Sequence, residues 1–262
     1  MKLSLGSVTG SLLRLSRLEI LPVRVRSGVA EGARWTLFPR SSYWRGTHEP
    51  ELQAALLALG GGDIAGWSCW DLGAHFGLYS VGLARRVGPT GQVAAFEPSP
   101  VSCARLSLHA RMNRVPWLKV IQAAVSDRGG SGQMYTYGDA GSTSTHLPYE
   151  GETPDKAAMP ILVRIVKLDD LVEAGEIRPP RFVKIDVEGH GHHAVAGMQR
   201  TLGAHRPIVI AALHSQPESD GIVGPLTRLG YRYSRIGPKG ATADPAIGCD
   251  YLFLPGQVFR DP

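Results

Sequence analysis

Between Trp70 and Glu97 an apolar stretch reaches Asp71 and passes through the turn Asp71-Leu72-Gly73-Ala74-His75-Phe76-Gly77. An amphipathic segment from Leu78 to Val87 follows, and then a second apolar stretch, Gln92-Val93-Ala94-Ala95-Phe96, ending in Glu97. Strand, glycine turn, helix and strand form the unit from which parallel sheets are built, because a parallel crossover needs a covering helix. Ligands of such sheets bind in the crevice beyond the carboxyl ends of the strands. This one stretch restricts the chain to the α/β class.

The alternation continues. Strands are expected at 67–71, 92–97 and 118–123, separated by helices near 77–88 and 100–113. Residues 131–137 read as an added β excursion and 138–158 as a polar loop, either a lid or substrate loop or a disordered segment. A strand at 161–167 leads to Leu168-Asp169-Asp170-Leu171, where an acid can cap a short helix. The apolar run Phe182 to Val187 follows Pro179-Pro180, then a helix over 190–203, a strand from Ile208 to Leu213 ending at His214, and a helix near 219–229. Strands Tyr231–Ile236 and Tyr251–Leu254 close the sheet as an antiparallel hairpin.

Residues 1–60 read as an N-terminal extension to a domain over 61–262. Leucines at 12, 13, 15 and 18 with Arg14 and Arg17 predict a short amphipathic helix, packed on the domain or on a second subunit as a homodimer contact, with a peripheral membrane contact as the alternative. Arg34–Phe38 reads as a strand, and Tyr43-Trp44-Arg45-Gly46-Thr47-His48-Glu49-Pro50 as a shaped loop ahead of a helix from Glu51 to Leu59. At 262 residues the chain suffices for one α/β domain with appendages. Hydrophobic content of 43% and charged content of 19% suit a soluble globular protein. The net charge of +5 comes without a dense Lys/Arg block, so nucleic acid is not an expected partner. Cys69, Cys103 and Cys249 are widely spaced with no C-x-x-C pair, which argues against a zinc or dithiol site and for a reducing cytoplasm. No signal peptide and no transmembrane segment are expected, since Arg14 and Arg17 interrupt the first leucine-rich run.

Polar residues at strand ends are the informative ones, because a sheet covered on both faces has no dry place for unpaired charge. Asp71, Glu97, Asp127, Asp186, Glu188 and His214 qualify. In Asp71-x-Gly73-Ala74-x-x-Gly77 an acid stands where a dinucleotide fingerprint has its first glycine; it repels a pyrophosphate and attracts an amino group or sulfonium. S-adenosylmethionine is therefore favoured over NAD. Gly73 permits a tight turn beside the ligand and Gly77 close helix packing. Glu97 ends the second strand at the spacing suited to two ribose hydroxyls, and Ser126-Asp127 can bracket the adenine, Asp127 accepting from its amine. For proton removal from an acceptor hydroxyl, His214 or His190 is the candidate base and Asp186 or Glu188 its orienter. A divalent metal on Asp186, Glu188 and His214 is a chemically reasonable alternative but is not predicted. His190, His192 and His193 read as capping or solvated residues around a helix start.

Four stretches carry a resemblance: Tyr43 to Glu49, Asp71 to Ser80, Ala95-Phe96-Glu97-Pro98, and Lys184-Ile185-Asp186-Val187-Glu188-Gly189-His190. Together they resemble the FkbM family of S-adenosylmethionine-dependent methyltransferases. The resemblance implies a Rossmann-like class I methyltransferase fold with a mostly parallel seven-stranded sheet, and O-methylation of a hydroxyl on a sugar or secondary metabolite. It implies cofactor contacts from Asp71, Gly73, Ala74, Gly77, Tyr79, Ser80, Glu97, Pro98, Ser126, Asp127 and Asp186. Tyr43, Trp44 and Glu49 would face the acceptor. Two positions depart from the pattern: Gly191 follows His190 where the family has Glu, and Ala212 replaces an acid often found before the histidine after the fifth strand. A binding protein that has lost catalysis and an NAD-dependent oxidoreductase are the alternatives.

Overall fold

The computed structural model describes residues 22–37, 41–137, 158–237 and 245–256. In chain order its strands and helices are β1 (Pro22–Arg24), β2 (Arg34–Thr36), α1 (Pro50–Ala58), β3 (Ser68–Leu72), α2 (Leu78–Val87), β4 (Gln92–Phe96) and α3 (Pro100–Met112). There follow β5 (Leu118–Ile121), β6 (Ala124–Ser126), β7 (Gly130–Tyr137), β8 (Ala158–Lys167), α4 (Leu168–Glu173) and β9 (Phe182–Ile185). The last are α5 (Gly191–Ala196), α6 (Gln199–His205), β10 (Ile208–Leu213), α7 (Gln216–Arg228), β11 (Tyr231–Arg235) and β12 (Cys249–Pro255).

The main sheet has seven strands in the order β11-β12-β10-β9-β3-β4-β5. β10, β9, β3, β4 and β5 run parallel, while β12 pairs antiparallel with both β10 and β11. This is the expected mostly parallel sheet closed by an antiparallel hairpin. All five residues of β3 are buried, as a central strand covered on both faces requires. On one face Leu52, Leu56, Leu83, Val93, Phe182 and Ile210 pack with Val25 and Trp35 of the N-terminal segment. On the other, Trp70, Phe96, Val183, Met198, Leu202 and Ile222 form a second core. A smaller sheet, β6-β8-β7, stands beside the main one.

Three boundaries differ from the sequence expectation, each for a local reason. The strand expected over 118–123 divides into β5 and β6, the Ala123 N–H turning back to Ile121 O at 3.0 Å as the chain leaves for the small sheet. The helix expected over 190–203 is broken at Gly197-Met198. A Cβ at Gly197 would lie 2.0 Å from Ser126 O, and Gly197 O accepts from Asp169 N–H at 3.0 Å, so backbone docking interrupts the helix here. α7 starts earlier than expected, at Gln216, where Ser215 caps it through Glu218 N–H and Pro217 occupies the first turn. The leucine-rich helix near the start and the polar loop, apart from Ala158, lie outside the described residues. Among the described residues, no helix is long and apolar enough to cross a membrane.

Candidate active site

The carboxyl ends of β3, β4, β9 and β10 open into a cavity of about 220 Å³. Its floor is the glycine turn. Gly73 has φ +82°, and a Cβ there would fall 1.8 Å from Asp186 O, so the turn is pressed against the segment after β9. Gly77, at φ +87°, does the same against Leu106 Cδ1 of α3 at 2.1 Å. Both tolerate only glycine. The Gly73 and Ala74 N–H groups both donate to Phe96 O, at 3.0 and 2.9 Å. They are thereby committed to holding the turn on β4, and are not a cradle for a pyrophosphate.

Glu97 ends β4 in the cavity wall and is 5% exposed. Its Oε2 accepts from His75 N–H at 2.7 Å and its Oε1 from Ser99 N–H at 2.8 Å. Burial nevertheless raises its pKa from 4.5 to about 7. Each oxygen keeps a lone pair, so two hydroxyls can still bind there.

A line of alternating charge crosses β3 and β9. Asp71 is fully buried; Ser80 Oγ donates to its Oδ2 at 2.5 Å, and Lys184 Nζ stands 3.8 Å from its Oδ1. Lys184, 2% exposed, donates to Asp186 Oδ2 at 2.9 Å, and Asp186 Oδ1 meets His214 Nε2 at 3.1 Å. Burial opposes each charge, and the neighbours overcome it at three of the four sites. Asp186 and Asp71 raise Lys184 despite its burial, while Lys184 and His214 hold Asp186 well below the carboxylate range. At Asp71 burial wins and raises the carboxyl. The bond to Asp186, against burial, lifts His214 to about 9.

The cavity thus brings together Tyr43, Glu49, Gly73, Ala74, Tyr79, Glu97, Pro98, Asp186, Glu188, His190 and His214 of the residues expected from sequence. Asp71 and Ser80 lie beneath its floor, where they anchor Lys184. Gly77 packs behind it. The two candidate bases occupy different sectors: His214 pairs with Asp186, whereas His190 Nε2 lies 3.1 Å from Ser126 Oγ and its ring stacks on His193 at 4.4 Å. Burial and the two neighbouring histidines push His190 down to about 4. Asp127 bonds His193 Nδ1 at 3.0 Å and, like Ser126, stands outside the cavity wall. Trp44 is also outside it, with the Arg26 and Arg45 guanidinium groups over its ring at 4.7 and 5.3 Å.

Several contributors are not among the site residues expected from sequence. Lys184 is one. Glu218 of α7 is another: fully buried, it accepts from Gly191 N–H and His214 N–H, both at 2.8 Å, and so fixes the start of α5 and the base candidate together. A Cβ at Gly191 would come within 2.9 Å of Glu218 Oε1 and of Ile222 Cδ1, so the larger residue of the family pattern would require these side chains to shift. His75 lines the cavity with φ +49°, its Nδ1 3.1 Å from Tyr43 OH, and Tyr79 OH donates to the Glu49 carboxylate. Among the described residues no group of three or more His, Cys, Asp or Glu is arranged to hold a metal ion, Asp186, Glu188 and His214 included.

The 31-O-demethyl-FK506 methyltransferase FkbM of Streptomyces tacrolimicus is 30% identical over 192 residues, 64% of this chain and 70% of that protein. The hexuronic acid methyltransferase AglP of Haloferax volcanii is 26% identical over 147 residues, 56% of this chain and 55% of that protein, so the chain spans about half of this relative's length. Among solved structures, a methyltransferase FkbM from Methylobacillus flagellatus is similar at a TM-score of 0.47 and 16% identity, over 71% of this chain and 43% of that one. The model of the methyltransferase FkbM domain matches residues 71–233, a stretch that runs from the buried aspartate of the turn past Glu97, Asp186 and His214 and exceeds half the chain. The chain belongs to the FkbM methyltransferase family.

Proposed function

We propose that the protein transfers a methyl group from S-adenosylmethionine to a hydroxyl of a sugar or secondary metabolite. The observation that carries this reading is the His214–Asp186 pair, 3.1 Å apart, in the same cavity as the buried Glu97. One half of the cavity suits the cofactor. Glu97, with its pKa raised by burial, is short of hydrogen-bond donors, and a ribose diol supplies two. Gly73, Ala74 and Pro98 form the adjoining wall, and His190 and Val125 the side toward β6. When bound, the cofactor supplies a carbon activated by its sulfonium.

The chain's own residues do the rest. Tyr43 and Glu49, from the segment ahead of α1, and Glu188 and His214, from the far side, surround the position of an acceptor, and positioning supplies much of the rate of a displacement. Asp186 orients the His214 ring, and neutral His214 takes the hydroxyl proton as the new bond forms. In this reading residues 61–262 form the transferase domain, and the 1–60 extension contributes acceptor contacts through Tyr43 and Glu49. The names of the two relatives, one a methyltransferase of 31-O-demethyl-FK506 and one of hexuronic acid, favour the acceptor class.

The test is calorimetry with S-adenosylmethionine and NAD, followed by mass spectrometry of hydroxylated acceptors incubated with isotope-labelled S-adenosylmethionine. The expected results are S-adenosylmethionine binding and a labelled methyl ether. Tight NAD binding without S-adenosylmethionine binding would refute the reading, and cofactor binding without turnover of any acceptor would favour a binding protein.

A further inference from the structure

The sheet places one more carboxylate beside the acceptor end of the cavity, just outside its wall. Asp71, Lys184, Ile210 and Leu252 are register partners across β3, β9, β10 and β12. Register partners share a face, and residues two apart on a strand share it too. Ile210 and Leu252 pack with the core beneath the N-terminal segment, which identifies the face. Two residues nearer the cavity, the same face carries Asp186 after β9, Ala212 on β10 and, paired with Ala212, Asp250 on β12. His214 follows Ala212 by two. Ala212 adds only a methyl group between Asp186 and Asp250.

Asp250 is half-buried and faces the N-terminal segment that supplies Glu49. Burial first, and then the Glu49 and Asp186 carboxylates, push its pKa up to about 6, with Lys184 and His214 acting in the opposite sense. Lys184 and His214 are matched by Asp71 and Asp186. Glu49 and Asp250 therefore add negative charge to this end, tempered by Tyr79 OH on Glu49 and by His48, whose Nε2 is 3.5 Å from Glu49 Oε1. Among the described residues, the cavity wall holds no lysine or arginine. An acceptor carrying a carboxylate or phosphate would meet like charge here, and one carrying an ammonium would meet its complement.

We propose that Asp250, together with Glu49, receives a protonated amine of the acceptor beside the hydroxyl that is methylated, so that the acceptor class is an amino sugar or a comparable amino alcohol. This rests on the methyltransferase reading above. It makes Asp250 a specificity-determining residue for that reaction, one that approaches the site from β12, outside the motifs of the chain.

The experiment loads the protein with S-adenosylhomocysteine, which permits binding without turnover, and titrates glucosamine, glucose and glucuronate while recording amide NMR spectra. Failure of S-adenosylhomocysteine to bind would overturn the methyltransferase reading itself. With the cofactor product bound, glucosamine is expected to give saturable shifts around Asp250 and His214, glucose to bind about tenfold more weakly, and glucuronate to give no saturable shift. Asp250→Asn is expected to bring glucosamine to the level of glucose while the variant still takes up S-adenosylhomocysteine, and Glu49→Gln to act in the same direction. Glucose or glucuronate binding as tightly as glucosamine, no saturable glucosamine binding, or an unchanged preference in D250N would overturn the proposal.

Discussion

Replacing Glu97 by Gln should make the stability of the ligand-free protein less dependent on pH and its cofactor complex weaker. Glu97 titrates at about 7 in the folded protein against 4.5 when unfolded, because burial disfavours its charge more than the two backbone N–H bonds favour it. The sign follows from proton binding. Below the unfolded value both states are protonated and nothing is lost; between the two values the unfolded state gives up its proton first, and the folded state is progressively penalised. The penalty grows from about 1 kcal/mol at pH 5.5 to about 3 kcal/mol at pH 8.5, at 1.36 kcal/mol per pKa unit. Glutamine is neutral throughout, but its NH2 cannot accept, so one of the His75 and Ser99 N–H groups loses its partner at a cost that does not change with pH. Urea unfolding of the two proteins at these pH values should therefore show the stability difference shifting in favour of E97Q by about 2 kcal/mol from the lower to the higher. Calorimetry should show S-adenosylmethionine affinity falling by about 1–3 kcal/mol at the higher pH, since charge-assisted bonds to the diol become neutral ones. A stability difference independent of pH would refute the electrostatic account of Glu97. Unchanged affinity would show that the diol binds elsewhere.

The His214–Asp186 pair predicts a rate that rises with pH: a base held at about 9 is mostly protonated at neutrality, so kcat/KM should climb tenfold per pH unit and level off near 9. Asp186→Asn should move that inflection down, and an inflection left in place would dissociate His214 from the step. Lys184→Met strands Asp71 and Asp186 without their cation and should cost about 3–5 kcal/mol in urea unfolding at neutral pH, a loss that shrinks in acid. Gly73→Ala combines φ +82° with a Cβ 1.8 Å from Asp186 O, and should cost more than about 2 kcal/mol and abolish cofactor binding in calorimetry.

The parallel sheet was legible because its central strands are short apolar runs that stop at an acid, and because a glycine turn and an amphipathic segment separate the first two. The antiparallel closure was legible from two short aromatic strands after the last helix. Lys184 was not, since a lone cation in the run Phe182 to Val187 gains its meaning only from the register Asp71↔Lys184, two strands joined by more than a hundred residues of chain. Glu218 was hidden for the same reason: its two partners, Gly191 and His214, belong to other elements. The break at Gly197 was invisible because the apolar periodicity runs through it, and the docking of its backbone on Ser126 O that ends the helix is tertiary. Local pattern reports which residues can end a strand; it does not report which of them will be neighbours.

The line Asp71, Lys184, Asp186, His214 also limits how this site can change over generations. Each inner member serves two partners, and the first two have no solvent to fall back on. A single substitution therefore passes through a protein with an unmatched buried charge. Divergence at these four positions must proceed by paired replacement, whereas Tyr43 and Glu49 in the cavity wall and Asp250 beside it, none of them members of that line, are free to vary one at a time. Acceptor preference can drift while the chemistry beneath it stands still.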